Sequence, residues 1–294
     1  MSSARSLTPA VSRARRHWFF RQHPVMPGFG LSFGFSTLYV SLIILFPISA
    51  LFVYLSDMSP AQYWHAITDA RVVASYRVTL TGAFYASLLT AVLGLLLAWI
   101  IARYRFPGRR LLDALVDLPF ALPTAVAGLT LAVLLAPGGW VGQFFTPFGI
   151  RIAYDFPGLL IAMTFTSLPF VVRTVQPVLQ DADTECEEAS RTLGASEFQT
   201  FWRITLPGIV PALITGTSQA FIRSLGEFGA VIMIAGNMPF RTEVSSLMIF
   251  VRLQEFEYPA ASAIASVILL ASLTLLFVLQ VVQGRLFPWQ RVAR

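Results

Sequence analysis

The sequence predicts an all-α integral membrane protein with six transmembrane helices. Composition gives the first sign: of 294 residues, 56% are hydrophobic and only 12% charged, with a mean hydropathy of +0.69. A soluble domain of this size carries about twice that charged fraction. The second sign is a repeated apolar window of about 20 residues, the length that takes a helix across the hydrocarbon core. The third is an arginine distribution that alternates in density from one connection to the next.

The windows fall at 33–55, 79–101, 116–136, 158–180, 209–235 and 260–282. The first follows an arginine-rich stretch and is long enough to stay as an anchor, so the start of the chain reads as an uncleaved tail. Pro119 and Pro123 in LPFALP are expected to kink the start of the third window, since each removes a backbone donor. Gly226 and Gly229 are expected to let neighbouring helices approach the fifth closely. The run 244–251, VSSLMIFV, is too short to cross and reads as an interfacial or re-entrant piece.

All 21 basic residues are arginine, and their placement orients the bundle. Arg5, Arg13, Arg15, Arg16 and Arg21 precede the first span; Arg103, Arg105, Arg109 and Arg110 lie between the second and third. Arg173, Arg191 and Arg203 surround the fourth-to-fifth connection, and Arg285, Arg291 and Arg294 close the chain. The opposite side holds Arg71, Arg77, Arg151, Arg241 and Arg252. By the positive-inside rule both termini face the cytoplasm. The pI near 10.0 is therefore assigned to topology rather than to nucleic acid.

The absent residues exclude chemistry. Without lysine there is no P-loop contact to the β- and γ-phosphates and no Schiff base. Cys186, the single cysteine, has no internal disulfide partner, and no CxxC zinc spacing occurs. His17, His23 and His65 lie outside the windows, and Ser218 in GTSQA lacks the closing glycine of a nucleophile elbow. The chain is expected not to be an enzyme and to hold no metal.

Between the fourth and fifth windows stands a polar stretch, EEASRTLGASEFQTFWRITLP, at 187–207. Thr184 and Glu187 have capping-box spacing, and Glu187 and Arg191 stand at i,i+4. Gly194 is placed to end that helix in the left-handed conformation. Ser196 with Gln199 forms a second capping box, and Pro207 and Pro211 bound the next membrane helix. Helix, glycine bend, helix is the expectation, with Phe198, Phe201 and Trp202 as apolar anchors. It serves either as a hairpin resting on headgroups or as a rigid knob for a cytoplasmic partner.

The pattern Glu188-Ala189-Ser190, Gly194, Ile204, Leu206-Pro207 resembles the EAA loop of bacterial ABC-importer permeases, EAA-x3-G-x9-I-x-LP. Ser190 in place of alanine is the one departure, and a small residue is kept. RYRFPGRRLLDALVDLPFALPTAVAGLTL (103–131), SLPFVVRTVQPVL (167–179), RSLGEFGAVIMIAGN (223–237) and TEVSSLMIFVRLQEFEYPAASAIASVILL (242–270) extend the likeness. They resemble the T-type permease subunits of the sulfate/thiosulfate and molybdate branch. The resemblance implies a type I ABC importer permease fold with a core permease domain at 76–282. It also implies an N-terminal tail at 1–32, a first helix and periplasmic loop at 33–75, and a C-terminal tail at 283–294. The loop 181–207 would couple to an ATPase subunit, which binds the ATP that this chain does not. The other implied partners are a W-type permease subunit, a second copy of the ATPase and a periplasmic sulfate-binding protein. Sulfate or thiosulfate is the implied substrate, with molybdate or tungstate as the alternative. A secondary anion transporter is the reading from another class, and it leaves the polar loop without a purpose.

Within the fifth window, Thr215, Gln219, Arg223 and Glu227 fall on one helical stripe. A charge at bilayer depth costs about 3 kcal/mol on insertion scales, so Arg223 and Glu227 should face protein or water. Two readings stay open: a self-neutralising structural pair, or, with Gln219, part of the lining of an anion path.

Overall fold

The computed structural model describes residues 29–182 and 184–286. The arginines of residues 1–28, His17, His23, Arg291 and Arg294 lie outside the described residues, as do most of the predicted N-terminal and C-terminal tails. Every regular element among the described residues is helical. The chain divides into two compact units, Met1–Ala50 and Leu51–Arg294. Most of α1 (Phe29–Ser56) belongs to the first; it is an apolar helix with Pro47 inside and no charged residue in its first or last turn.

The second unit begins with α2 (Pro60–Thr68), started by a capping box between Ser59 and Gln62. Asp69 then caps α3 (Ala70–Arg103) by accepting from the Arg71 and Val72 amides. At 1.5 Å per residue its 34 residues run about 50 Å, well beyond the ~30 Å hydrocarbon core. Both ends therefore project, and each carries an arginine, Arg71 and Arg103. The other helices of membrane-crossing length and composition are α1, α7 (Phe156–Asp181) and α13 (Tyr258–Leu286).

The third and fifth predicted spans are broken helices. The third is entered from α4 (Arg109–Val116), which precedes it, and consists of α5 (Leu118–Ala121) and α6 (Thr124–Leu135). Pro119 sits in the first turn of α5 and Pro123 at the N-cap of α6, so the prolines divide the segment rather than bend it. The stretch Phe201–Thr205 is a π-helical turn that leads, after α8 and α9 (described below), into α10 (Leu206–Leu225). A break at 226–228 separates α10 from α11 (Gly229–Ile234). Irregular backbone at this depth is tolerated only where protein or a water-lined cavity satisfies it. The predicted short piece is α12 (Ser245–Gln254), at ten residues too short to cross.

In lipid, apolar side chains gain little by leaving the solvent, so helices associate through close packing and hydrogen bonds. The centre of the unit is α3, α7 and α10, joined by Ala98, Ile101, Val171, Val172, Val175, Ile209, Ala212 and Ala220. Gly216 lets α10 lie against the α7 backbone: a β-carbon there would sit 2.8 Å from Val171 Cα. Thr90 and Ser167 hydroxyls meet at 3.0 Å between α3 and α7, both buried. Of the two glycines expected to permit close approach, Gly229 does, packing on Thr124, whereas Gly226 is exposed and a β-carbon there would meet only Arg223 O, at 4.0 Å.

Candidate functional site

The polar loop folds as a bent pair of short helices. α8 (Glu185–Thr192) ends at Leu193, and Gly194 takes φ +85°. The Gly194 amide donates to Arg191 O and the Ala195 amide to Ser190 O, both at 3.0 Å. These two bonds make a Schellman motif, which satisfies carbonyls the helix end would leave free. Ser196 and Gln199 form the predicted capping box and start α9 (Glu197–Thr200). The π-turn then carries the chain into α10, with Leu206 donating back to Phe201 O. A π-turn leaves no recognisable signature in this sequence.

The first expected capping box does not form: no side-chain cap bond is made at Thr184. Nor does Glu187 pair with Arg191. Its carboxylate turns inward, buried, where Arg103 Nη2 lies 2.7 Å from Oε1 and Thr205 Oγ1 donates to the same atom at 3.0 Å. Arg191 instead pairs across the bend with Glu197 at 2.9 Å. A buried partner outcompetes a solvated i,i+4 neighbour because the carboxylate is held in lower dielectric. Ser190 explains its own departure from alanine: its hydroxyl meets Thr200 Oγ1 at 2.8 Å and donates to Glu187 O, tying α8 to α9.

Of the three expected anchors only Phe201 turns to the bundle, its ring edge-on to Trp99 with centroids 5.1 Å apart. Phe198 and Trp202 are exposed, and Leu193 at the bend is 88% exposed. Glu188 and Ala189 are exposed too, Ile204 and Leu206 are half-buried, and Pro207 is exposed. At the loop's base, Val178, Asp181, Glu187, Ile204, Thr205 and Ile209 line a cavity of about 410 Å³. The loop thus has a polar, fixed inner side and an outer side with uncovered apolar groups.

The expected stripe in the fifth span is interrupted. Gln219 is exposed on α10 and Arg223 half-buried, but Glu227 lies beyond the helix end and is only 1% exposed. Arg223 Nη1 reaches 2.6 Å from Glu227 Oε2, an ion contact that is not aligned as a hydrogen bond. Glu227 Oε1 accepts from the Ala230 amide at 3.0 Å, and Ser246 donates to Glu227 O. The carboxylate and its backbone thereby satisfy groups freed by the break.

The ion clusters that escaped the sequence reading include two that join distant segments. Arg71 grips Glu243 with Nε and Nη2 at 2.8 and 2.7 Å, the carboxylate side chain being 2% exposed. Arg173 on α7 binds Asp113, Asp117 and Gln176, which fastens α4 and the start of α5 to the bundle. Burial pulls the Asp113 carboxyl up, but the hydrogen bonds from Arg173 and Gln176 prevail and hold it below the usual range. The partners are 172 and about 60 positions apart, so no local pattern announces them.

Residues 90–292 match the family described as the binding-protein-dependent transport system inner membrane component. The chain is 62% identical over 261 residues to the sulfate transport system permease protein CysT of Salmonella typhimurium, covering 89% of this chain and 94% of the relative. The Escherichia coli protein of that name is 61% identical over the same coverage. That of Synechocystis is 47% identical over 246 residues, 84% of this chain and 86% of the relative. Among solved structures, a bacterial ABC transporter for import of the acidic polysaccharide alginate superposes with a TM-score of 0.73. It covers 87% of this chain and 94% of that one at 19% identity, a likeness of fold.

Proposed function

The chain belongs to the binding-protein-dependent transport system inner membrane component family, and from that premise we propose that it is the membrane-spanning permease subunit of an ATP-driven sulfate/thiosulfate importer. As a family member it is a multi-pass inner-membrane transport subunit and not itself an ATPase. Sulfate as substrate is supported by relatives at 62% and 61% identity that carry a sulfate permease name across nearly their whole length.

The observation that carries the coupling role is the two-sidedness of 181–207. Its inner side is fixed to the bundle by Glu187 and Phe201, while Leu193, Phe198 and Trp202 stand uncovered. A surface patch of this kind marks an interaction site. Glu188, Ala189, Ser190, Gly194, Ile204, Leu206 and Pro207 form the knob that docks on an ATPase subunit, two copies of which bind the ATP. The chain itself holds no cofactor. A W-type permease subunit completes the pore, a periplasmic binding protein delivers the anion, and both termini lie in the cytoplasm. The core permease domain is 76–282. Gln219 and Arg223 line the path, where a guanidinium one-third exposed in the single chain offers a dianion a counter-charge.

Reconstitution tests this. Liposomes holding this chain, the W-type subunit and two ATPase copies should take up radiolabelled sulfate only with ATP and the binding protein. Uptake without ATP would indicate a secondary transporter, and molybdate uptake that excess sulfate fails to compete would move the substrate to the neighbouring branch.

A further inference from the structure

A helix of eight residues cannot hold its own direction, since isolated helices of that length are marginal in water. α8 is held instead by one carboxylate. Glu187 Oε1 accepts from Arg103, the last residue of α3, and from Thr205, the last residue of the π-turn before α10. A single buried atom thus joins the loop to the ends of two membrane helices. Arg103 is fixed in turn: its guanidinium lies 5.6 Å from the Trp99 ring centroid, and Trp99 meets Phe201 edge to face. Arg103 Nε is buried with no hydrogen-bond partner among the described residues, so Glu187 and the Trp99 ring are what hold the group there. The Ser190–Thr200 bond closes the set by locking α9 onto α8.

From this arrangement we infer that Arg103 is the positioning residue of the coupling loop. It makes α8, α9 and the adjoining ends of α3 and α10 move as one body, so that force applied at Gly194 displaces both helices instead of bending the loop. The inference rests on the proposed docking of the loop on an ATPase. It adds that docking alone is insufficient: without Arg103 the ATPase binds and hydrolyses ATP, but the stroke is lost in the loop.

Two measurements separate these readings. In the reconstituted complex, Arg103→Gln should keep the ATPase at wild-type stoichiometry while sulfate taken up per ATP hydrolysed falls about tenfold. Arg103→Lys should fall less, because it keeps the charge, and the exchange Arg103→Glu with Glu187→Arg should recover part of the loss. Should Arg103→Gln assemble poorly, Glu187→Gln, which keeps an acceptor for Thr205, carries the same test. In the permease alone, a spin label at Ala189→Cys, an exposed position on α8, in a Cys186→Ser background should become more mobile in Arg103→Gln. Wild-type transport per ATP together with wild-type label mobility overturns the clamp. If the wild-type complex lacks the ATPase, the docking reading falls by itself, and label mobility still decides whether Arg103 holds the loop.

Discussion

Arg223 and Glu227 are four residues apart but not one helical turn apart. α10 ends at Leu225, and Arg223 reaches across the break to a carboxylate that also accepts from the Ala230 amide in the first turn of the next helix. The two partners are therefore unequal. Glu227→Ala removes the acceptor for the Ala230 amide and orphans a cation, and should cost about 3–5 kcal/mol, the usual effect of breaking a buried pair. Glu227→Gln keeps an acceptor and should cost less. Arg223→Gln, at a one-third exposed residue, should fall between them. Thermal unfolding of the purified complex ranks the three. Uptake normalised to assembled complex then reads the pathway role: a well-assembled Arg223→Gln/Glu227→Gln double variant should transport slowly, and wild-type rates there remove Arg223 from the path.

Gly194 holds φ +85° with open space where a β-carbon would stand. The cost of a side chain in the isolated chain is conformational, roughly 1–2 kcal/mol, and no neighbour is struck. Gly194→Ala should accordingly insert and express normally with modest loss of uptake. Gly194→Asp should insert equally well yet abolish transport, because its carboxylate enters the proposed packed interface. Normal sulfate uptake by Gly194→Asp at normal expression would remove the bend from coupling.

Much of this was legible in the sequence, for stated reasons. Gly194 and the Ser196–Gln199 box were readable because helix ends are local chemistry, specified within four residues. The long spans were readable from length and apolarity, and α12 from its shortness. The breaks at Pro123 and Gly226 were underestimated, since apolarity continues through them while the helix does not. Glu187 was misassigned because its Arg191 neighbour is visible in sequence and its true partner, Arg103, is 84 positions away. Nothing local distinguishes a carboxylate that will be buried from one that will cap.

Accessibility labelling tests orientation. In a Cys186→Ser background, necessary because Cys186 is exposed, Ser196→Cys should react with an impermeant thiol reagent only after the cytoplasmic side is opened. Gln143→Cys and Met238→Cys, both at exposed positions, should react in intact cells. Reaction of Ser196→Cys in intact cells would overturn the orientation and the coupling role together.

The other end of α3 is held by a second buried charge pair. Glu243 is nearly fully buried and held by both Nε and Nη2 of Arg71, a bidentate pair of the strong kind. The pair fastens the start of α3 to the segment that leads into α12, next to the buried Thr79–Ser245 bond at 3.0 Å. Arg71→Leu leaves a buried carboxylate without its counter-charge and should lower stability by about 3 kcal/mol, the low end for buried pairs because Arg71 is 35% exposed. Glu243→Leu should cost less, since the freed guanidinium can turn to solvent. The double variant Arg71→Leu/Glu243→Leu should be more stable than Arg71→Leu alone, as removing both charges removes the desolvation penalty with them. Thermal unfolding of the four forms gives the coupling as a double-mutant cycle. A double variant no more stable than Arg71→Leu would show that the arginine contributes by packing its stem, and not by holding the charge of Glu243.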